Sequence, residues 1–191
     1  DLSIAPSERV LKQYSRYKNM RLEVVENFFD VRISEVSLTK ERQDSFEIIY
    51  LSNLIYTKGF TIAVEACRLL RRDALPVHLT LCGSPIGDEH MSVNEVNKYL
   101  DELKGDISVT VVGTVQGDEK ANLLGKANVF FLPTFKDSAP ISILEALAAG
   151  CYVVSTNQGS IPELLTGFHA RIVPQSVEDF ASAAREYWNR N

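Results

Sequence analysis

From residue 46 onward, short apolar runs alternate with segments whose apolar positions recur every three or four residues. Residues 47–52, 77–82, 108–113, 129–132, 152–155 and 170–173 are short and rich in apolar residues, and turn formers lie between them. They predict six strands. Between the first two, Ile62, Ala63, Ala66, Leu69 and Leu70 follow helical spacing and predict a helix from about 58 to 72. Val93, Val96, Leu100 and Leu103 share one face of a second helix over 92–103. Shorter helices are predicted over 118–124, 141–149 and 161–165, with a closing one over 177–188. Strand alternating with helix over this length implies an α/β fold, a Rossmann-like parallel sheet of about six strands with helices on both faces. In such sheets ligands bind at the carboxyl ends of the strands.

The first 45 residues do not follow this alternation. Residues 5–14 predict a helix and 21–25 a strand, followed by a charged stretch with Ser and Thr from 34 to 45. The chain therefore divides into a leading segment, 1–45, and an α/β domain, 46–191.

Composition narrows the chemistry. Apolar residues make up 45% and charged residues 24%, ordinary for a globular chain with a core. A formal charge of −5 argues against a nucleic-acid-binding surface. Cys67, Cys82 and Cys151 sit in apolar contexts at no metal-ligand spacing and read as small core residues in a reducing compartment. Of the three histidines, His78 falls inside a strand and reads as a satisfied core residue, His90 falls on a solvated loop, and His169 lies near a turn. No metal site is expected from them. The sequence has no dinucleotide-type glycine fingerprint, no phosphate loop with Gly-Lys-Ser/Thr and no serine elbow. No run approaches bilayer length and no signal-peptide pattern is read, so a cytoplasmic protein is expected. Opening on Asp1 rather than Met, the sequence is expected to be a fragment or a processed product.

The most informative stretch runs from Thr134 to Gly150. Asp137 lies in a loop, eight positions before Glu145 on a helix where Ser142 is the only other polar residue. Pro140 suits the start of this helix and Gly150 its end. So apolar a helix should be buried on most sides, and a carboxylate there is costly unless something hydrogen-bonds it. Two readings stand for Glu145: an ion pair with a structural Arg or Lys, or a ligand group within two turns of an anion-attracting helix end. Asp137, likewise, either caps the helix or touches a ligand. A carboxylate beside an anion site suits a molecule that offers hydroxyls and phosphate together, such as a sugar nucleotide.

Pro133, Asp137, Leu144-Glu145-Ala146, Ala149-Gly150 and Gly159-Ser-Ile-Pro-Glu163 fall in an order that resembles the nucleotide-binding half of the retaining, GT-B-type glycosyltransferases, the group one family. In that family two Glu residues separated by seven others form the signature. Glu145 matches the second, and Asp137 stands at the first, one methylene shorter. The family's frequent Gly-Phe-Gly is Ser138-Ala139-Pro140 here. After the first strand, Lys58-Gly59 matches the family's diphosphate-gripping Lys-Gly, whereas Asn53 stands where Arg is usual. From its residue type alone, Lys58 could equally be a surface cation at a helix start.

The resemblance implies a catalytic set of Lys58, Asp137 and Glu145. It implies a donor-binding set of Asn53, Lys58, Gly83, Thr114, Val115, Ile141, Ser142, Leu144 and Glu145. Glu145 would hold ribose hydroxyls, Asp137 the donor sugar, and backbone near Thr114 and Val115 the base. It implies no cofactor and no divalent metal, which agrees with the absence of Asp-x-Asp. Residues 1–45 would be the end of a missing N-terminal lobe, matched loosely by Ala5-Pro-Ser7 and Glu26-Asn27. That lobe would recognise an acceptor glycan or lipid-linked glycan, with the full-length protein in the cytoplasm or peripherally at the inner face of the membrane. The expected function is thus the nucleotide-sugar-binding domain of a hexosyltransferase building cell-surface polysaccharide or glycolipid, inactive without its other lobe. The alternatives are a non-catalytic sugar-nucleotide-binding module and a sugar-nucleotide epimerase of the same fold.

Overall fold

A computed structural model describes residues 2–14, 21–25, 27–30, 32–37 and 45–190. In chain order the elements are β1 (Leu2–Ala5), α1 (Glu8–Tyr14), β2 (Arg21–Val24), α2 (Arg32–Ser37), β3 (Phe46–Leu51), α3 (Phe60–Arg72), β4 (Val77–Cys82), α4 (Val93–Glu102), β5 (Val109–Gly113) and α5 (Gly117–Lys126). They continue with β6 (Val129–Leu132), α6 (Ile141–Ala148), β7 (Tyr152–Ser155), α7 (Ile161–Leu164), β8 (Ala170–Ile172) and α8 (Val177–Arg190).

Among the described residues, β3 to β8 form one six-stranded, all-parallel sheet in the order β5-β4-β3-β6-β7-β8. From β3 the chain builds outward through β4 to β5, then returns beside β3 as β6 and builds the other way. The switch point therefore lies between β3 and β6, where the chain leaves for helices on opposite faces of the sheet. Right-handed crossovers place α3 and α4 on one face and α5 and α6 on the other. α8 returns from the far edge to pack on α3, and α2 packs on α5 and α6. With helices on both sides, β6 and β7 are buried at every position, which explains their unbroken apolar sequence. An edge-to-face contact of Phe131 with Phe180 (5.2 Å) ties α8 to the sheet, and one of Phe60 with Tyr99 (5.7 Å) ties α3 to α4.

The predicted elements from residue 46 onward are all present. α3 begins at Phe60 because Gly59 adopts a left-handed φ of +75° and breaks it from a 3₁₀ turn, Tyr56–Lys58. α4 carries a capping box in which Ser92 and Glu95 satisfy each other's backbone N–H groups. The leading segment differs more from expectation. β1 and β2 pair in parallel as a separate two-stranded sheet, and the helix predicted from Ala5 starts at Glu8 instead. There Ser7 accepts from the N–H of Val10 (3.3 Å), a local bond that favours a helix start. Helix α2, six residues long with only Ile33 and Val36 apolar, has too few apolar positions to announce itself. Glu26 and residues 38–44 of the charged stretch lie outside the described residues.

All three cysteines are buried and none forms a disulfide among the described residues, and burial pushes the Cys67 and Cys82 thiols up to about 12. This matches their reading as core residues. His78 is a correction: it is half-buried beside a cavity of about 290 Å³ and bonds Thr110 (2.9 Å), because β5 at the sheet edge leaves that face uncovered.

Candidate functional site

The loops leaving β3 and β6 meet over the switch point. Gly59 makes this possible, since a Cβ there would lie 2.0 Å from the carbonyl oxygen of Pro133. The N–H of Phe135 donates to the carbonyl of Thr57 (2.8 Å). Thr57 in turn donates its N–H to Asp88 (3.0 Å), drawing in the loop after β4. Burial alone would raise the Asp88 carboxyl, but N–H bonds from His90, Thr57 and Met91 favour the charged form and hold it below the usual range. Beneath this lacing, the fully buried Tyr50 donates its hydroxyl to the carbonyl of Asn53 (2.9 Å) and fixes the turn.

Over the switch point Lys58 and Asp137 form an ion pair, Nζ to Oδ2 2.6 Å, and Nζ also donates to the carbonyl of Lys136 (3.1 Å). Lys58 retains 25% and Asp137 11% of its side-chain exposure, so the pair is partly shielded yet touches solvent. The Asp137 loop is braced from behind by the chain after β7. Ser160 donates its N–H (2.7 Å) and its hydroxyl (2.8 Å) to the carbonyl of Ser138. Gly159 sits so close that a Cβ would approach the carbonyl of Asp137 to 2.2 Å.

α6 starts beside this loop. Pro140 is its N-cap with no side-chain cap bond; the Ile143 N–H turns back to the Pro140 carbonyl (3.2 Å), and the N–H groups of Ile141 and Ser142 precede the first intrahelical bond. Such an end attracts an anion. Asn27 of the leading segment reaches it, donating to the carbonyl of Ala139 (2.9 Å). Ile141 is 45% exposed at this end, while Ser142 and Leu144 are partly covered.

Among the described residues Glu145 is the one charged side chain in the buried set. Its Oε1 meets the Nζ of Lys120, on α5, at 2.5 Å. The chain thus resolves the two sequence readings in part: Glu145 has a structural lysine partner, on α5, whose helix shares a sheet face with α6. Nothing in the sequence distinguished Lys120 from a solvated cation on an amphipathic helix.

A third group lies along the carboxyl ends of β3, β4 and β5. Gly83 adopts φ +146° with no room for a Cβ against Ser52, and its N–H donates to Gly113 (2.7 Å). The hydroxyls of Ser84 and Thr114 share a 2.6 Å bond, Val115 is buried, and Asn53 is exposed. The structure therefore joins Lys58 to Asp137 and Glu145 to Lys120 by direct contact, and places Asn53, Gly83, Thr114 and Val115 on the same end of the sheet. Among the described residues no cluster of ligand-type side chains suitable for a metal ion occurs, and no helix is long and apolar enough to cross a membrane.

A family model described as glycosyl transferases group 1 matches residues 45–190, most of the chain. The chain belongs to the glycosyl transferases group 1 family. This glycosyltransferase chain is 22% identical over 162 residues to the phosphatidylinositol N-acetylglucosaminyltransferase gpi3 subunit of Schizosaccharomyces pombe, covering 84% of the chain and 34% of that protein. It is 30% identical over 125 residues to the putative colanic acid biosynthesis glycosyltransferase WcaL of Escherichia coli, covering 62% of the chain and 30% of that protein. Its fold matches that of Anabaena HepE crystallised with UDP, with a TM-score of 0.74 at 18% identity, over 98% of this chain and 54% of that one. The glycosyltransferase chain thus has the Rossmann-like lobe of the GT-B fold, and it spans about a third of the length of those curated relatives.

Proposed function

We propose that this chain is the donor-binding lobe of a retaining hexosyltransferase, which moves a hexose from a nucleoside-diphosphate sugar to an acceptor hydroxyl. The observation that carries this reading is the Lys58–Asp137 pair at the switch point beside an uncapped helix end. On binding, the donor diphosphate would take Lys58 from Asp137 and accept from the N–H groups of Ile141 and Ser142. These positive ends oppose the charge that develops on the departing diphosphate, without a divalent metal. Asp137, released from Lys58, would face the donor sugar.

Glu145 would accept from the ribose hydroxyls, with Lys120 holding its other oxygen in place. The base would lie toward Thr114 and Val115, near the Gly83 turn. Asn53 adds a neutral amide where a second cation would bind more strongly. HepE crystallised with UDP and glucose supports a uridine nucleotide as the first donor to try. The names of the gpi3 subunit and of WcaL support glycolipid or cell-surface polysaccharide as the product class. Acceptor recognition by another lobe, cytoplasmic location and peripheral association with the inner membrane face belong to this proposal as well.

Titration calorimetry with UDP, GDP and ADP tests the donor site. One of them is expected to bind, with Lys58→Ala weakening it by about 1–3 kcal/mol, the scale of a bond to a charged group. Equal affinity in wild type and Lys58→Ala would remove Lys58 from the site. Assays with sugar nucleotides and acceptors separate a transferase from an epimerase, which would return an altered donor sugar instead.

A further inference from the structure

We propose that Asn27 is a positioning residue for the diphosphate end of the donor site, its amide fixing the peptide from which α6 starts; this rests on the donor-lobe reading above. Asn27 belongs to the leading segment, and its Nδ2 donates at 2.9 Å to the carbonyl of Ala139, 112 residues further along the chain. The same segment is fastened to a second helix start. Asp30 accepts from Nε of Arg32 at 2.9 and 3.0 Å, and the guanidinium of Arg32 reaches on to Asp118 (3.0 Å) in the first turn of α5. A Cβ on Gly117 would lie 3.7 Å from that guanidinium. Bonds from Arg32 hold the Asp30 carboxyl down to about 2, and the charge of Lys120 acts in the same direction, so this fastening stays charged at neutral pH. The leading segment therefore touches the starts of α6 and α5, the helices that carry Glu145 and Lys120.

The Ala139–Pro140 peptide gives the Asn27 bond its weight. Proline carries no N–H, so the Ala139 carbonyl is the sole hydrogen-bonding group of that peptide. The two residues before it are held from the other side: Ser160 donates twice to the carbonyl of Ser138, and Gly159 lies against the carbonyl of Asp137. Asn27 completes the set by holding the plane directly ahead of α6. A carbonyl free to turn there would bring its negative end toward the N–H groups of Ile141 and Ser142 and oppose an anion beside them. Bonded to the amide, it leaves those groups to a phosphate.

Two ends of one segment could each serve the donor. The Arg32–Asp118 pair is exposed on both sides, with 52% and 81% of the side chains in water, and exposed ion pairs contribute little. Asn27 is half-buried, and its bond is partly shielded from water. The influence on the donor is therefore assigned to Asn27, with Arg32 setting the direction of the segment that carries it.

Titration calorimetry with UDP, GDP and ADP, and saturation-transfer NMR with uridine, guanosine and adenosine, test this on the chain. Asn27→Leu keeps the volume of the side chain and removes its donor, whereas Asn27→Gln keeps the donor on a longer stem. Asn27→Leu is expected to weaken the diphosphate that binds roughly threefold to tenfold, the scale of one neutral hydrogen bond. The melting temperature of the free protein and the affinity for the matching nucleoside should stay unchanged, and Asn27→Gln should recover part of the loss. If Asn27→Leu melts below wild type, Asn27→Ala is held to the same comparisons. Equal diphosphate affinity in wild type and Asn27→Leu would overturn the role and leave the donor-lobe reading standing. Equal losses for diphosphate and nucleoside, or equal losses in the Leu and Gln variants, would also overturn it, since Asn27 would then act through packing alone. Binding of none of the three diphosphates by the wild-type chain would defeat the donor-lobe reading, and this inference with it.

Discussion

Lys120 changes what substituting Glu145 should do. A ligand carboxylate left alone in the core would gain stability on conversion to an amide. A carboxylate already paired with a lysine would lose it. Removing one member of a fully buried pair costs roughly 3–5 kcal/mol. Lys120 keeps 21% of its side chain in water and can re-hydrate, so Glu145→Gln is expected to cost the apo protein less, about 1–3 kcal/mol. The double variant Glu145→Gln/Lys120→Met removes both charges, and thermal melts should show most of that loss recovered. Nucleotide affinity should stay reduced in the double variant, because the ribose partner is still gone. Recovery of affinity together with stability would mean that Glu145 acts only through packing. Lys58–Asp137 is shielded to nearly the same degree, so Lys58→Ala should likewise cost the apo protein about 1–3 kcal/mol while weakening the diphosphate.

At the scale of elements, Gly159 shows how a turn positions a side chain it never touches. It adopts φ +48°, and a methyl group there would meet the carbonyls of Asp137 at 2.2 Å and Ser138 at 2.4 Å. Gly159→Ala is therefore expected to destabilise by more than about 1–2 kcal/mol, the strain of a left-handed residue before any clash. It should also move the acid loop, so calorimetry should show weaker nucleotide binding, whereas the exposed Gly167→Ala, with open space around it, should show only the strain. The strands and helices of the α/β domain were legible because buried strands read as apolar runs and helices as periodic stripes, with Val77–Cys82 and Val129–Leu132 matching residue for residue. The leading segment was less so. β1 is four residues long and α2 six, so tertiary contact rather than local pattern decides them. At the candidate site, Lys58, Asp137 and Glu145 were singled out because they match positions of the family's motifs. Lys120 and the Asn27–Ala139 bond were not, because they arise from pairs 25 and 112 residues apart whose members look ordinary on their own.

For the molecule as a whole, the relatives' greater length leads us to expect that the isolated chain will bind a nucleotide but not transfer sugar, because GT-B chemistry needs two lobes to close. Acceptor-dependent product release from this chain alone would contradict that. Acid should weaken the fold through Asp88 and Asp106, both held below the ordinary value of 3.8: burial opposes the charge, but hydrogen bonds outweigh it. As their folded pKa values are depressed, the unfolded chain takes up protons first as pH falls. Their contribution is complete above 3.8 and is lost as pH drops through the lower folded values. Urea midpoints measured at pH 6 and pH 3 should therefore converge in the double variant Asp88→Asn/Asp106→Asn. The strand order bears on synthesis too. β3 is made early, yet its second neighbour, β6, follows only after β4 and β5, and Glu47 first meets Asn128 from 81 residues away. Until then a nascent chain on the ribosome carries the central strand with one side unpaired and apolar. That edge invites pairing with other chains, so slow translation between β5 and β6 should increase aggregation and the demand for chaperones.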